Sequence, residues 1–556
     1  MPAVERWVAD LETTTDEQDC RAWLWTAAAV DDYHKTKWGT TLDTFMDWCR
    51  EKSRIVYFHN LKFDGEFLIN WFFQNGFEYE DRAKSAKTFC ALISDMGVFY
   101  SLDATWETGN KRKTHTTFYD SLKKLPFTVE KISRDFKLNM EKLEIDYKKH
   151  RPVGYQPTEH EINYGLHDVQ IIAQALKIQF DQGLVKMTNG SDALTWFKLS
   201  IGEERYRKLF PVLDKEIDDT LRYGYRGGWT YVKKGVEGKD IGAGVVFDKN
   251  SMYPSMMKDC LLPYGYPIYF TGEYQQDDLY PLYIQKIRCR FRIKPGFLPT
   301  IQLKKSLLFQ PNEYIEDSKE EVSLVLTSVD LKLFFDHYIV EDLEFIDGYK
   351  IKGIKGIFDD YIDYWMHIKE TSTGAIRTLA KLMLNSLYGK FATRPDVTGK
   401  VPYYEDGIVK YKRDEQRLRD PEYTATGCFI TAYARDDIIR NAQANIDRFL
   451  YADTDSLHLT GLEMPDLDID PVKLGKWKHE STFTRARYLR QKTYIEEIDG
   501  KLDVKCVGMT EEIKKKVTWE NFHLEFESVT GKLRPKHVKG GIVLVDTPFK
   551  IRSVRL

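Results

Sequence analysis

The stretch FLYADTDSLHL, Phe449 to Leu459, sets two acids one residue apart between two short apolar runs. Its flanks, RFLY and LHLT, read as strands, so ADTD becomes the bend of a hairpin with Asp453 and Asp455 at its tip. Carboxylates displayed there suit a hard divalent ion such as Mg²⁺, which takes a few carboxylates and keeps waters and substrate phosphates around it. A structural turn fits the same residues equally well. Acid-rich segments are common, and PDLDIDP at 465–471 carries more of them in an ordinary loop.

Context outside the hairpin separates the two readings. In VVFDKNSMYPSMM a buried-looking strand ends in Asp248, and a helical turn is expected after Pro254. Asp248 could cap that turn, or form the second wall of a site in which two ions clamp the attacking and leaving oxygens of a phosphoryl transfer. The segment DYIDYWMHIKETSTGAIRTLAKLMLNSLYGKF has the periodicity of one long helix, with Gly389 expected as its C-terminal cap. Arg377, Lys381, Asn385 and Tyr388 share a face of it. Two cations, an amide and a phenol there could meet a triphosphate and a base pair; a solvated face is the plainer alternative.

The first 185 residues or so alternate strand-like runs (RIVYFHN, GVFYSLD, HTTFYDSL) with helical patterns, which predicts an α/β unit. DLETTT places Asp10 and Glu12 on one face of a strand, FHNLKFDGEF adds Asp64, and YGLHDVQII sets Tyr164 and Asp168 one helical turn apart. Each motif alone could be structural. Together, four carboxylates and a phenol favour hydrolysis of a phosphodiester.

A chain of 556 residues exceeds one core and predicts two to four packed domains. Seven scattered cysteines without a CxxC pair suggest neither a disulfide framework nor a zinc site, which points to a reducing compartment. The start, MPAVERWVADLETTT, has no signal-peptide core, and no apolar run is long enough to span a membrane, so a soluble intracellular protein is expected. The net charge of −3 does not suggest nucleic acid. From Ser481 to Leu556, however, 16 Lys/Arg face 10 Asp/Glu, which is either a solvated basic face or a phosphate-tracking surface.

With DLETTT, YFHNLKFDGEF, YDSLKKLPF, YGLHDVQ, YRGGW, DKNSMYP, KLMLNSLYGKFA, YADTDS and QKTY in order, the chain resembles the family B DNA polymerases, specifically the protein-primed branch of the phage phi-29 type. The resemblance spans nearly the whole chain. It implies an RNase H-like α/β exonuclease domain over 1–185 and an α+β right-hand polymerase domain over 186–556. Within the latter, palm insertions fall at about 260–357 and 392–425, fingers at about 358–391 and a thumb at about 525–556.

By the same resemblance Asp10, Glu12, Asp64 and Asp168 are metal ligands of a 3′→5′ exonuclease, with Tyr164 orienting the attacking water. Tyr57, His59, Asn60, Phe63, Phe67, Ser121 and Leu122 match residues that hold a frayed primer strand, and Lys142 assists phosphate. Asp248 and Asp455 match the polymerase metal ligands, with Asp453 as their catalytic neighbour. Lys369, Arg377 and Lys381 match phosphate-binding positions, although the family often has Lys where Arg377 stands. Tyr253 lies beneath the sugar, Tyr388 packs against the nascent pair, Asn385 belongs to the nucleotide-binding set, and Lys492 and Tyr494 meet the primer terminus. Tyr225, Arg226, Gly227 and Gly228 of YRGGW belong to the DNA-binding set.

Implied cofactors are two Mg²⁺ ions per site, with Mn²⁺ as a substitute. Implied partners are primer-template DNA, dNTPs and a terminal protein primer, for a monomeric, strand-displacing enzyme in the host cytoplasm with no membrane association. The DxE motif begins at residue 10, which leaves no room for the N-terminal domain usual in nucleic-acid-primed relatives. TRPDVTGKVPYYEDG and its continuation to about Thr424 are expected to form a projecting, mostly solvated hairpin that helps to close a ring around DNA. A nucleic-acid-primed polymerase is the alternative within enzymes. A catalytically silent DNA-binding scaffold is the alternative from another class, and acids at every metal position argue against it.

Overall fold

The computed structural model describes residues 4–109, 112–302, 314–419 and 421–552. The N-terminal domain is built on an eight-stranded mixed sheet. At its centre Glu5–Thr13 runs antiparallel to Ala22–Ala29 and parallel to Arg54–Phe58. Ala22–Ala29 is buried along its whole length, so its sequence AWLWTAAA is nearly continuously apolar rather than alternating. In Glu5–Thr13, Trp7, Ala9 and Leu11 enter one core and Val8 the other. Asp10 and Glu12 share the parity of Val8, so they face the helix Glu159–Asp181, which covers that side. A capping box between Thr158 and Glu161 starts this helix, and so fixes where Tyr164 and Asp168 fall along it.

A second, five-stranded antiparallel sheet runs in the order Trp477–Phe483, Gly244–Lys249, Ser456–Thr460, Phe449–Asp453, Thr230–Val232. Helix Thr424–Ala444 backs it, packing Ile438, Ile439 and Ala442 against Phe247, Phe449, Leu457 and Trp477. Between Asp248 and this helix the chain inserts a four-stranded sheet spanning Leu262–Ile354.

Three sequence expectations need correction. The long helical pattern is broken into Asp359–Thr371, Gly374–Ser386 and the single turn Tyr388–Phe391. The break falls at Ser372–Thr373, before Gly374, which takes φ +59°; β-branched Thr371 and Thr373 beside a left-handed glycine cannot carry a helix through. Gly389 therefore lies inside the last turn and caps nothing. Similarly, the helix after Asp248 begins at Met252, with Ser251 as its N-cap and Pro254 in its first turn, where a missing N–H costs nothing.

The third correction concerns the 396–418 insertion, which is not mostly solvated. Asp396–Val397 pairs with Arg417–Leu418, and Lys400–Glu405 with Ile408–Arg413. Val409 is buried in the N-terminal core, beside Val538 and Ile542 of the C-terminal hairpin Glu527–Val538/Gly541–Lys550. Tyr404 stacks on Phe73 at 5.5 Å, and the Tyr411 hydroxyl donates to buried Glu66 at 2.7 Å. Its alternating valines and tyrosines thus cover another domain's surface instead of solvent. The tip of the C-terminal hairpin lies against Cys20, where a Cβ on Gly540 would stand 2.1 Å from the Cys20 carbonyl oxygen. Only glycine fits there.

Candidate active sites

On the five-stranded sheet Asp248 pairs with Ser456, and Asp453 pairs with Ser456 across the hairpin, so the three acids of the two motifs meet at one strand end. The turn is two residues, Thr454 and Asp455, with Thr454 at φ +65°. A β-branched residue in that region is strained. It is held by its N–H to the Trp229 carbonyl at 2.8 Å and by Gly228, whose bare Cα admits the Thr454 side chain and the Tyr253 hydroxyl.

The three acids differ in their partners. Asp453 receives hydrogen bonds from Thr230 (3.1 Å), Tyr451 (3.2 Å) and Lys492 Nζ (2.7 Å), so its side chain braces the hairpin. Among the described residues, no lysine or arginine pairs with Asp455. Burial, then Asp248, push its carboxyl up to about 6. Burial also raises Asp248, against the pull of Lys478, whose Nζ is 3.0 Å from Oδ1. Crowded, half-buried acids of this kind favour a bound cation over their own charge repulsion.

Facing them is a cationic cluster. Lys369 Nζ donates to Ser251 Oγ at 2.9 Å, and its pKa is lowered by burial and then by Lys381 and Arg377. Arg377, Lys381 and Asn385 lie exposed along one face of Gly374–Ser386. Tyr388 stacks on Tyr253 with centroids 4.1 Å apart. Arg226 donates to the Val325 carbonyl at 2.8 Å, while Tyr225 is half-buried beside it. Buried Arg435, paired with Asp330 at 2.7 Å, donates to the Gly227 carbonyl and so fixes the YRGGW turn. Tyr494 packs its ring on Tyr451, 5.0 Å away, and Lys492 N–H donates to the Tyr451 hydroxyl.

The second cluster lines a cavity of about 1030 Å³ between the N-terminal domain and the C-terminal hairpin. Asp10, Glu12, Asp64, Asp168, Lys142, Tyr147 and Tyr164 all border it. Burial, then Asp168, push Asp10 up to about 7, and burial followed by Asp10 raises both Glu12 and Asp64 well above the usual range. Leu11 N–H donates to Asp64 at 3.2 Å, Lys142 Nζ to Asp168 Oδ2 at 2.6 Å, and Tyr164 shares a hydrogen bond with Tyr147. Asp168 Oδ1 is buried without a hydrogen-bond partner. An orphaned oxygen among three further oxygen donors fits a hard divalent ion. Among the described residues, no three acidic, imidazole or thiol groups close around an ion at either site as they stand; the fit is one of donor chemistry.

His59 Nε2 donates to the Phe127 carbonyl (2.8 Å), and its Nδ1 lies 2.9 Å from Ser121 Oγ, whose hydroxyl also reaches the Phe58 carbonyl at 3.1 Å. Burial lowers the pKa of the His59 ring. Asn60 starts the next helix from a left-handed φ of +82° and with Phe63 borders the cavity. Tyr57 (7% exposed), Phe67 (0%) and Ser121 (0%) do not. Tyr57 packs between Tyr119 and Phe180, Phe67 lies under Gly541, and Ser121 holds His59. These three lie in the wall behind the cavity as the chain stands; Leu122 beside them is half-buried.

Sequence reading missed Lys478, Glu480, Tyr147 and the Arg435–Asp330 pair. For Lys478 a signal existed: in KWKHESTF, Trp477 is the kind of residue a core takes, and strand alternation puts Lys478 on the opposite face.

The family described as DNA polymerase type B, organellar and viral, matches residues 47–474. The chain is 51% identical to the DNA polymerase of Bacillus phage phi29 over 98% of each protein. It is 37% identical to that of Streptococcus phage Cp-1, again over 98% of each. Its fold is similar to phi29 DNA polymerase complexed with primer-template DNA and incoming nucleotides, with a TM-score of 0.95 and 49% identity, covering 99% of this chain and 100% of that one. With an exonuclease-type domain, palm, fingers and thumb and with relatives similar over nearly its full length, this chain belongs to the organellar and viral family B DNA polymerases and is a DNA-directed DNA polymerase.

Proposed function

We propose that this polymerase extends a primer strand on template DNA with dNTPs, removes mispaired ends by 3′→5′ hydrolysis at a separate site, starts from a terminal protein and displaces strands unaided in the host cytoplasm as a monomer. The observation that carries proofreading is the second cluster of buried carboxylates on its own domain. Asp248 and Asp455 would hold divalent ions, Mg²⁺ or Mn²⁺, at the palm, and Asp10, Glu12, Asp64 and Asp168 at the N-terminal site. Such ions stabilise the charge that develops on attacking and leaving oxygens. Asp453 keeps the hairpin in register, Lys369, Arg377 and Lys381 attract the triphosphate, and Tyr253 with Tyr388 forms the floor under sugar and base. At the other site, Tyr164 positions the attacking water and Lys142 neutralises Asp168. No helix among the described residues is long and apolar enough to cross a membrane. Extension of a primed single-stranded circle with Mg²⁺ and four dNTPs tests the polymerase reading, and the same assay with terminal protein but no oligonucleotide tests priming.

Tyr253→Val is expected to admit ribonucleotides. The ring is fixed by Tyr388 and by the close approach of Gly228, so it cannot yield to a 2′-hydroxyl. Relative NTP incorporation should rise on the order of 10- to 100-fold, the range open to a steric pocket. Unchanged competition between dNTP and NTP removes the role.

Deleting residues 398–416 should spare single-nucleotide insertion. The Val397–Arg417 pairing keeps the cut ends adjacent for a Gly-Ser bridge. A ring around DNA retains it by topology, so product length under a competitor trap should fall by about tenfold or more, and synthesis through duplex should stop. Full-length products would show the hairpin to be a passive cover.

A further inference from the structure

Lys478 carries no role from the family motifs, yet it stands directly opposite Asp248 in the antiparallel ladder. Directly opposed residues share a face of the sheet with Cβ atoms about 5 Å apart. The placement belongs to the backbone and not to one rotamer. Trp477, 1% exposed on the other face beneath Lys249, locks the strand's alternation. The ammonium lies 3.0 Å from Asp248 Oδ1 and 3.8 Å from Glu480 Oε2, and is close enough to act electrostatically on Asp455 and on Lys369. It sits between the acids of the palm and the cations that face the triphosphate.

We propose that Lys478 is a positioning residue that couples nucleotide arrival to divalent-ion binding: its ammonium neutralises Asp248 in the free enzyme, competes with the ion for that carboxylate, and moves to the phosphate oxygens of the nucleotide. The inference rests on the reading that Asp248 and Asp455 hold the ion. By linkage, a side chain that weakens ion binding without nucleotide and contacts the nucleotide afterwards must make each ligand favour the other.

Mn²⁺ binding, followed by the electron paramagnetic resonance of the free ion, tests this in the full-length chain carrying Asp10→Ala and Glu12→Ala, so that only the palm site is read. Lys478→Met and Lys478→Gln should each bind Mn²⁺ about three- to fivefold more tightly without nucleotide, the scale of a partly exposed ion pair. Lys478→Arg should restore the weaker binding. In extension assays both neutral variants should raise KM for dNTP by a similar factor while kcat changes less. Unchanged or weaker Mn²⁺ binding in the neutral variants overturns the proposal, as does failure of both to fold, which would make the lysine a structural strut. Asp248→Asn with Asp455→Asn in the same background should abolish Mn²⁺ binding. If binding survives there, the metal reading itself fails, whatever Lys478 does.

Discussion

Asp455→Asn is expected to all but stop primer extension while leaving the fold and the proposed degradation of single strands unaltered. The residue's structural duties are carried by its backbone: its N–H donates to the Asp453 carbonyl at 2.7 Å and its own carbonyl accepts from Lys249 at 2.8 Å. Asparagine keeps both, together with the shape of the side chain. What it removes is a charge pressed by burial and by Asp248. Losing a like-charge neighbour leaves the melting temperature at or slightly above the parent value, whereas a residue needed for the turn would lower it. Ion-assisted stabilisation of a transferring phosphoryl group amounts to several kcal/mol, and each 1.36 kcal/mol is a factor of ten, so extension falls by roughly a thousandfold or more. Single-turnover extension and thermal melting of the same preparation decide it. A variant that unfolds makes Asp455 a turn residue, and one that extends normally removes it from the chemistry.

The parts of this molecule that sequence made legible are those in which local pattern and chemistry coincide. The hairpin tip at Asp455, the strand-borne pair Asp10 and Glu12, and the helical pair Tyr164 and Asp168 all follow from periods of 2 and 3.6, and they fall where those periods put them. What escaped depends on partners distant in sequence. Lys478 reaches Asp248 from 230 positions away only because two strands pair. Glu66 looks like a solvated acid in FHNLKFDGEF, yet it is buried under Tyr411 of the insertion, with His537 of the C-terminal hairpin 3.5 Å away. Tyr57 is closed in by Tyr119 and Phe180 of its own domain, and Phe67 by Gly541 of the C-terminal hairpin, although an aromatic beside a carboxylate motif invites a stacking role. The broken helix is a different case. Its apolar stripe continues across Ser372–Thr373, and periodicity cannot register a local φ of +59° at Gly374.

Asp10→Ala combined with Glu12→Ala is expected to remove the proposed 3′→5′ degradation by a factor on the order of a thousand or more, by the same measure of several kcal/mol, and to spare extension. Both side chains leave a strand that is otherwise fixed by its two neighbours, with Asp10 paired to Thr26 and Glu12 to Leu24 through backbone bonds that alanine retains. Asp64 keeps its bond from Leu11 N–H, and Asp168 keeps Lys142. The remaining pair of carboxylates lacks the opposite wall, so substrate that still enters the cavity meets too few oxygen donors to complete a site. Two mutually repelling buried acids are lost, so melting should not fall. The palm acids stand on a different sheet, with Asp453 braced through Thr230, Tyr451 and Lys492 and Asp248 paired with Lys478, and nothing in that bracing passes through residues 10 or 12. Separate assays of single-strand degradation and of gapped-template extension read the two outcomes. Equal loss of both activities would mean that the clusters serve one reaction; retained degradation would mean that these acids hold the sheet and not the ion.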